Sequence, residues 1–489
     1  PSIFAMNLKY ILTASAMTLI PSAMIADQLV ILHTNDTHSQ LDPTDKNLGG
    51  ILRRKALVDS VRSAEPEMLL IDCGDAVQGT LYYTLYKGEA ERMMMNNLGY
   101  DIQILGNHEF DNGMEELARE WSQLNAEKLT SNYDLRGTAL DSIFKPYTIH
   151  TFGNRKIGFI SINLDPKGMI ADTNAEGVRY LDATDAANSL AWYLKHIEHT
   201  DMVVALTHIG YDTENPPTPS DIDIAHNSKD IDIIIGGHSH TTVNPSAPDA
   251  LAWKVANAAG DTVIVAQTGS RGINVGKIAI DLPTLTTTYS LIPVDKRFDN
   301  RIDPEAAALL AKYRAGVDSL KSQKIGRLAQ EFPSGSQIIL NWVADVMHEM
   351  GQKLVNEPVD VAIVNKGGIR RGMPAGHITK ETVMTMLPFD NKLVVMEISG
   401  KDLKEAFDVM ARRGGDGLSA GFDVSAIIPD KTYTIVTIDY LANGGDYMEP
   451  LTRGKVVTRS KARLDETMID YIERQHNKPI RYTDSAPRM

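Results

Sequence analysis

Only one cysteine, Cys73, occurs in 489 residues, so no intrachain disulfide can form and the framework stands on packing alone. Positive charge is also scarce. Against 63 acidic residues there are 49 lysines and arginines, a formal net charge of −14. That argues against a general binder of nucleic-acid polymers, which needs a positive field to offset backbone phosphates. Small phosphates stay within reach of bound metals or a local arginine. Internal repeats and low-complexity tracts are missing as well, which sets aside solenoids and arrays.

The N-terminal apolar run Tyr10–Ile20 falls short of the roughly 20 residues a membrane span requires. It follows Lys9 and precedes Pro21, Ser22, Ala23, Met24, Ile25 and Ala26. A basic start, a short apolar stretch and small residues ahead of Asp27 form the pattern of a secretory signal peptide. Residues 1–26 are therefore expected to direct export, to a periplasm or beyond. No cysteine follows that run to carry a bacterial lipid, and the stretch Thr483–Met489 is polar, unlike the tail of a glycolipid anchor. No membrane anchor is expected.

What is present is an ordinary globular composition, 43% apolar and 23% charged, in a chain too long for one hydrophobic core. Short apolar runs at Leu29–Leu32, Met68–Ile71, Ile102–Leu105, Ile157–Ile160, Met202–Leu206, Ile231–Ile235 and Val263–Ala266 read as buried strands. Amphipathic stretches such as Gly50–Arg62, Glu89–Leu98 and Met114–Asn125 lie between some of them. Alternation of this kind gives a layered α/β domain, here placed at 27–300. Residues 301–325 read as a connecting helix, with Pro304 in its first turn where proline is tolerated. A second α/β domain, 326–489, opens with a helix at Gly335–Met350. Strands follow at Val359–Asn365, Leu393–Ile398 and Tyr433–Asp439.

Five segments put metal-ligand residue types directly after an expected strand. They are Asp36-Thr37-His38, Asp72-Cys73-Gly74-Asp75, Gly106-Asn107-His108-Glu109-Phe110-Asp111, Thr207-His208, and Gly236-Gly237-His238-Ser239-His240. Strand ends of an open α/β sheet converge on one crevice, and Asp, Asn and His are hard or borderline ligands. Any one segment alone reads as a turn or a cap; five in order, with seven potential ligands, do not arise by coincidence. Cys73 and the run Met93–Met95 read as packing residues.

That order of motifs resembles the calcineurin-like metallophosphoesterases, and within them the secreted 5′-nucleotidase group, which includes UDP-sugar hydrolases and 2′,3′-cyclic-nucleotide phosphodiesterases. Further along, Asn365-Lys366-Gly367-Gly368-Ile369-Arg370, Leu387-Pro388-Phe389-Asp390-Asn391 and Leu441-Ala442-Asn443-Gly444-Gly445-Asp446 look like that group's substrate-domain motifs. The resemblance implies a four-layer sandwich joined by a helix to a substrate-binding domain, which rotates to bring its pocket to the metals. It also implies two divalent ions (zinc, manganese, cobalt or magnesium). Asp36, His38 and His240 would hold one, Asn107, His208 and His238 the other, and Asp75 would bridge both. His240 stands where many relatives carry Gln or Asn.

Such a pair polarises phosphoryl oxygens and lowers the pKa of bound water, giving hydrolysis of a nucleotide phosphomonoester by metal-activated hydroxide. In the family pattern His108 faces the phosphate, with Asp111 orienting its ring; the other reading of Asp111 is a cap on the helix near Met114. By the same resemblance Arg370, Asn391, Tyr440, Asn443 and Asp446 would contact the nucleotide. Of the two aromatic rings that usually sandwich the base, the first falls to Phe422, the only aromatic in its segment. Period-2 alternation with Val424 gives Phe422 a core reading as well. Arg371 has no counterpart in the pattern. The same metals would serve a cyclic-nucleotide phosphodiesterase or a UDP-sugar pyrophosphatase. A thiosulfohydrolase shares the scaffold, and Tyr440 with Asp446 speaks against it. A nucleotide-binding protein without turnover would have no use for the His108–Asp111 pair.

Overall fold

The computed structural model describes residues 27–212 and 219–489, and the expected signal peptide, residues 1–26, lies outside them. Two six-stranded sheets make up the first half. One runs in the order Thr287–Pro293, Asn274–Asp281, Gln28–Thr34, Met68–Asp72, Ile102–Ile104, Glu127–Leu129. Its last four strands are parallel, and the hairpin Asn274–Pro293 adds an antiparallel edge. The other runs Lys254–Ala256, Thr262–Ala266, Ile233–Ile235, Met202–His208, Arg155–Asn163, Tyr147–Phe152, with four parallel strands at its centre.

The apolar runs are continuous because both strand faces are covered. Leu29, Ile31, Leu69 and Ile71 meet Phe159, Val204 and Ile234 between the two sheets. The intervening Val30, Leu32 and Leu70 turn the other way, onto helices Ile51–Ala64 and Glu89–Leu98. Helix Ala183–His196 covers the far face of the second sheet through Ala183, Ala187, Ala191 and Leu194. The result is four layers, helix–sheet–sheet–helix.

Helix Pro304–Ser322 starts where Asp303 accepts the Glu305 and Ala306 N–H groups. It packs on the first half, where Tyr86 Oη donates to the Tyr313 carbonyl at 2.9 Å. A separate core spans Ile325 to Ile480. There, a five-stranded sheet runs Gly417–Leu418, Val361–Val364, Thr432–Ile438, Lys392–Ser399, Lys455–Arg463. Helix Gln337–Gln352 packs on it and buries Trp342 and Met347. Among the described residues no helix is long and apolar enough to cross a membrane.

Candidate functional site

Parallel strands of the two sheets end at Thr34, Asp72, Ile104, His208 and Ile235. The loops that follow bring the five motifs together. To do so, the backbone of Asp36, His38, Asp75, His238 and His240 enters the left-handed region, with φ between +46° and +80°. That region costs an L-residue with a side chain roughly 1 kcal/mol or more each. Five such residues in one cluster mean that the fold holds these side chains against local preference.

They form two groups, Asp36–His38–His240 and Asp75–His208–His238. His38 Nε2 lies 2.9 Å from His240 Nε2, and both nitrogens face Asp36 Oδ1, at 3.9 and 3.4 Å. Asp75 Oδ2 lies 3.2 Å from His208 Nε2 and 3.9 Å from His38 Nε2, which puts it between the groups. Asn107 Oδ1 is 3.0 Å from His238 Nδ1. A carbonyl only accepts, so His38 Nδ1 donates to Gln78 O at 3.2 Å and His208 Nδ1 to Cys73 O at 2.7 Å. Each ring thereby turns its Nε2 inward, the usual way a backbone oxygen fixes a ligand's tautomer.

Charge follows the same layout. Burial opposes ionisation of Asp36 and Asp75, yet the surrounding imidazoles hold Asp36 below the ordinary carboxylate value and Asp75 well below it. Burial also disfavours charge on His208, but Asp75 and Asp36 push it up to about 10. Burial takes His38 down to about 3 and His238 to about 4. His208 Nε2 is buried with no aligned hydrogen bond among the described residues, although Asp75 Oδ2 is close. Two anionic carboxylates, one amide oxygen and four imidazoles that crowd within 2.9–4.0 Å are a donor set suited to divalent transition ions. The residues fit a pair of such ions.

Next to them, His108 Nδ1 lies 2.9 Å from Asp111 Oδ2. The helix Met114–Trp121 has Gly113 at its N-cap without a side-chain cap. Asp111 thus serves the imidazole rather than the helix. Asn174 Nδ2 donates to the Asp111 carbonyl at 3.1 Å. Glu109 accepts the N–H groups of Asp75, Ala76 and Gly106 at 3.0, 2.9 and 2.6 Å, and burial and the Asp75 charge push its carboxyl up to about 8. It braces the loop that carries Asp75, a role its place in the motif does not disclose.

A cavity of about 310 Å³ opens from Asn107 and His108 towards the second core. Arg370 and Asn391 line it, as do Tyr440, Asn443 and Asp446 at the other end. Arg370 Nη2 reaches His108 Nε2 at 3.0 Å, so the segment Asn365–Arg370 already sits beside the two candidate metal-binding groups. Phe389 lies beneath that contact, 5.4 Å from the Arg370 guanidinium and 6.0 Å from the His108 ring. Phe389 belongs to the Leu387–Asn391 motif, yet nothing in the sequence assigns it this role. The wall Met169–Asn174, also part of the cavity, carries no sequence signal.

Phe422 corrects an expectation. Its ring packs at 5.9 Å from both Phe407 and Tyr433 and does not line the cavity. Phe422 is half-buried against the second core in a segment that forms no strand, since Val424 opens a short 3-10 turn; the period-2 reading fails too, and the apolar neighbours on the helix and the strand outweigh the cavity. Arg371 is not a free surface charge: its guanidinium lies 3.4 Å from Asp45 Oδ2 and 3.4 Å from Gln40 Oε1. Cys73 and Met94–Met95 are core residues, as read from the sequence.

Two family models match the chain, calcineurin-like phosphoesterase over residues 29–242 and 5′-nucleotidase, C-terminal domain over residues 323–425. The chain is 28% identical over 498 residues to the 5′-nucleotidase of Bos taurus, covering 88% of this chain and 85% of that protein. It is 28% identical over 491 residues to a trifunctional nucleotide phosphoesterase of Bacillus subtilis, covering 86% of this chain and 32% of that protein. The crystal structure of a 5′-nucleotidase precursor from Thermus thermophilus superposes with a TM-score of 0.79 at 27% identity. It covers 93% of this chain and 98% of that one.

Proposed function

The chain belongs to the 5′-nucleotidase branch of the calcineurin-like phosphoesterases, metal-dependent phosphoester hydrolases, and from that premise we propose that it removes phosphate from nucleoside 5′-monophosphates and related nucleotides. The observation that carries the reading is the contact between Arg370 and His108, a guanidinium suited to phosphate beside the two candidate metal-binding groups.

In this reading Asp36, His38 and His240 would hold one divalent ion, and Asn107, His208 and His238 the other, with Asp75 shared. Ions bound there supply positive charge for the phosphoryl oxygens and acidify water. The chain's own groups do the rest. Arg370 presents its planar fork to the phosphate, a geometry suited to two parallel hydrogen bonds. His108 faces the leaving oxygen. Burial pulls its pKa down, but Asp111 and Asp75 more than compensate and raise it, which favours the protonated ring. Hydrolysis adds a water oxygen to phosphorus and breaks the P–O bond to the nucleoside. The departing oxygen takes the His108 proton, and Asp111 keeps the ring aimed. Asn391, Tyr440, Asn443 and Asp446 line the space left for the nucleoside.

The similarity to a trifunctional nucleotide phosphoesterase favours a second reading, cleavage of cyclic nucleotides or nucleotide pyrophosphates by the same groups. Export follows from the N-terminal pattern at 6–26. Phosphate release is the test, with manganese, zinc or cobalt supplied, from AMP, ATP, a 2′,3′-cyclic nucleotide and UDP-glucose. Turnover of AMP is expected. Binding without turnover under every metal would leave only a nucleotide-binding protein.

A further inference from the structure

Arg413 follows the helix Gly400–Arg412 and ties together three segments that line or support the cavity. Its Nη2 donates to Asp446 Oδ2 at 2.7 Å and its Nη1 to the Asp446 backbone carbonyl at 3.0 Å. The same guanidinium lies 3.3 Å from Asp416 Oδ2. Asp416 in turn accepts the Lys366 N–H at 2.8 Å, at the start of the Lys366-Gly367-Gly368-Ile369-Arg370 turn. Asp446 needs such support. Its backbone is left-handed, with φ +56°, which disfavours any residue but glycine or, more mildly, Asn and Asp.

Two further side chains hold Asp446. Tyr440 Oη donates to Oδ1 at 3.0 Å, and Asn365 Nδ2 donates to Oδ2 at 2.6 Å. An ionised carboxylate offers about four acceptor positions. With Arg413 and Asn365 on Oδ2 and Tyr440 on Oδ1, one position remains, on Oδ1. Asp446 lines the cavity, so a ligand hydroxyl is the group suited to take it.

We propose that Arg413 is a positioning residue for sugar recognition, fixing Asp446 so that its one remaining acceptor position takes a single ribose hydroxyl. The inference rests on the nucleotide reading above and extends it. Arg413 makes no contact with the candidate metal ligands or with Arg370, and the Lys366 N–H keeps its Asp416 acceptor when Arg413 is removed, so the loss falls on recognition of the nucleoside rather than on the chemistry. Without it, Asp446 Oδ2 keeps only Asn365, and the buried Asp416 faces Asp446 with no cation between them.

The experiment uses the full metal-loaded chain with four substrates: AMP, 2′-deoxy-AMP, 3′-deoxy-AMP and p-nitrophenyl phosphate. The wild type is expected to favour AMP over one deoxy analogue by about tenfold in kcat/KM, the worth of a hydrogen bond to a charged group. In Arg413→Ala that ratio is expected to fall to within about twofold, with KM for AMP raised about tenfold and kcat for p-nitrophenyl phosphate unchanged. Arg413→Lys, which keeps charge but loses the fork, is expected to restore part of the discrimination. An unchanged AMP-to-deoxy ratio in Arg413→Ala, or an equal loss on AMP and p-nitrophenyl phosphate, would overturn the proposal and leave the nucleotidase reading standing. A wild type that cleaves p-nitrophenyl phosphate but no nucleotide would remove both.

Discussion

Arg370 Nη2 and His108 Nε2 lie 3.0 Å apart, joining the five-stranded sheet's domain to the edge of the metal cluster. A guanidinium has donors only, so the His108 Nε2 accepts here and its Nδ1 carries the proton towards Asp111. Both partners prefer an anion to each other. A phosphate group entering between them would accept from Arg370 and, once His108 Nε2 takes up a proton, from the ring as well, while Asp111 balances the charge that then develops on it.

Replacement of His108 tests that division of labour. His108→Ala is expected to lower kcat for AMP by about 10²- to 10⁴-fold, the usual contribution of a positioned proton donor. Metal content should stay at the wild-type level, because His108 reaches Asp75 through its backbone N–H alone. Elemental analysis beside steady-state kinetics would decide, and a matching loss of metal would contradict the assignment.

Gly106 shows how tightly the ligand loops are packed. A Cβ there would lie 2.2 Å from Asp75 Oδ1 and 2.5 Å from the Asp75 backbone nitrogen. The nitrogen is backbone, and the carboxylate oxygen is held in place by the His108 N–H at 2.9 Å. Gly106→Ala is therefore expected to push Asp75 out of place. An error of about 1 Å at a reacting centre costs roughly 10²-fold in rate. Circular dichroism should show a folded chain with diminished metal binding. Full activity in that variant would mean that Asp75 is not a bridging ligand.

A buried carboxyl outside the metal site makes stability depend on pH. Glu91 accepts a hydrogen bond from Ser39 Oγ, while its Oε2 has no partner among the described residues. Burial pushes its pKa from 4.5 up to about 7. Between those values the folded chain holds a proton that the unfolded chain releases, so stability falls as pH rises through the window. Between pH 5 and 8 the contribution lost is roughly 2–3 kcal/mol. Glu91→Gln cannot ionise and is expected to decline less over that range in urea unfolding. Parallel declines would refute the assignment.

Much of this was legible in the sequence because it rests on local patterns. Parallel strands covered on both faces read as continuous apolar runs, and the expected strands at Leu29–Leu32, Met68–Ile71 and Met202–Leu206 stand within Gln28–Thr34, Met68–Asp72 and Met202–His208. The hairpin Asn274–Asp281 and Thr287–Pro293 is hidden from such a reading, since Gly276 and Lys277 break the first run and the second is a half-exposed edge. Helix Met114–Trp121 stops four residues before Asn125, the end expected from its pattern. The candidate ligands are legible because each sits just past a strand end. The nucleoside end is less so. Phe389, Arg413 and the wall Met169–Asn174 gain their places from contacts across long sequence separations. No periodicity reports such contacts, and the expectation that Phe422 faces the cavity rested on its segment alone, while the ring packs on Phe407 and Tyr433.

If seven side chains hold two cations, water rather than an enzyme group cleaves the nucleotide phosphoester. Hydrolysis of AMP in ¹⁸O-labelled water, with manganese supplied and again after chelation, tests it most directly. Label is expected in the released phosphate and none in the adenosine, with turnover abolished by the chelator and restored by the metal. Turnover that persists without metal, or label that appears in adenosine, would contradict it.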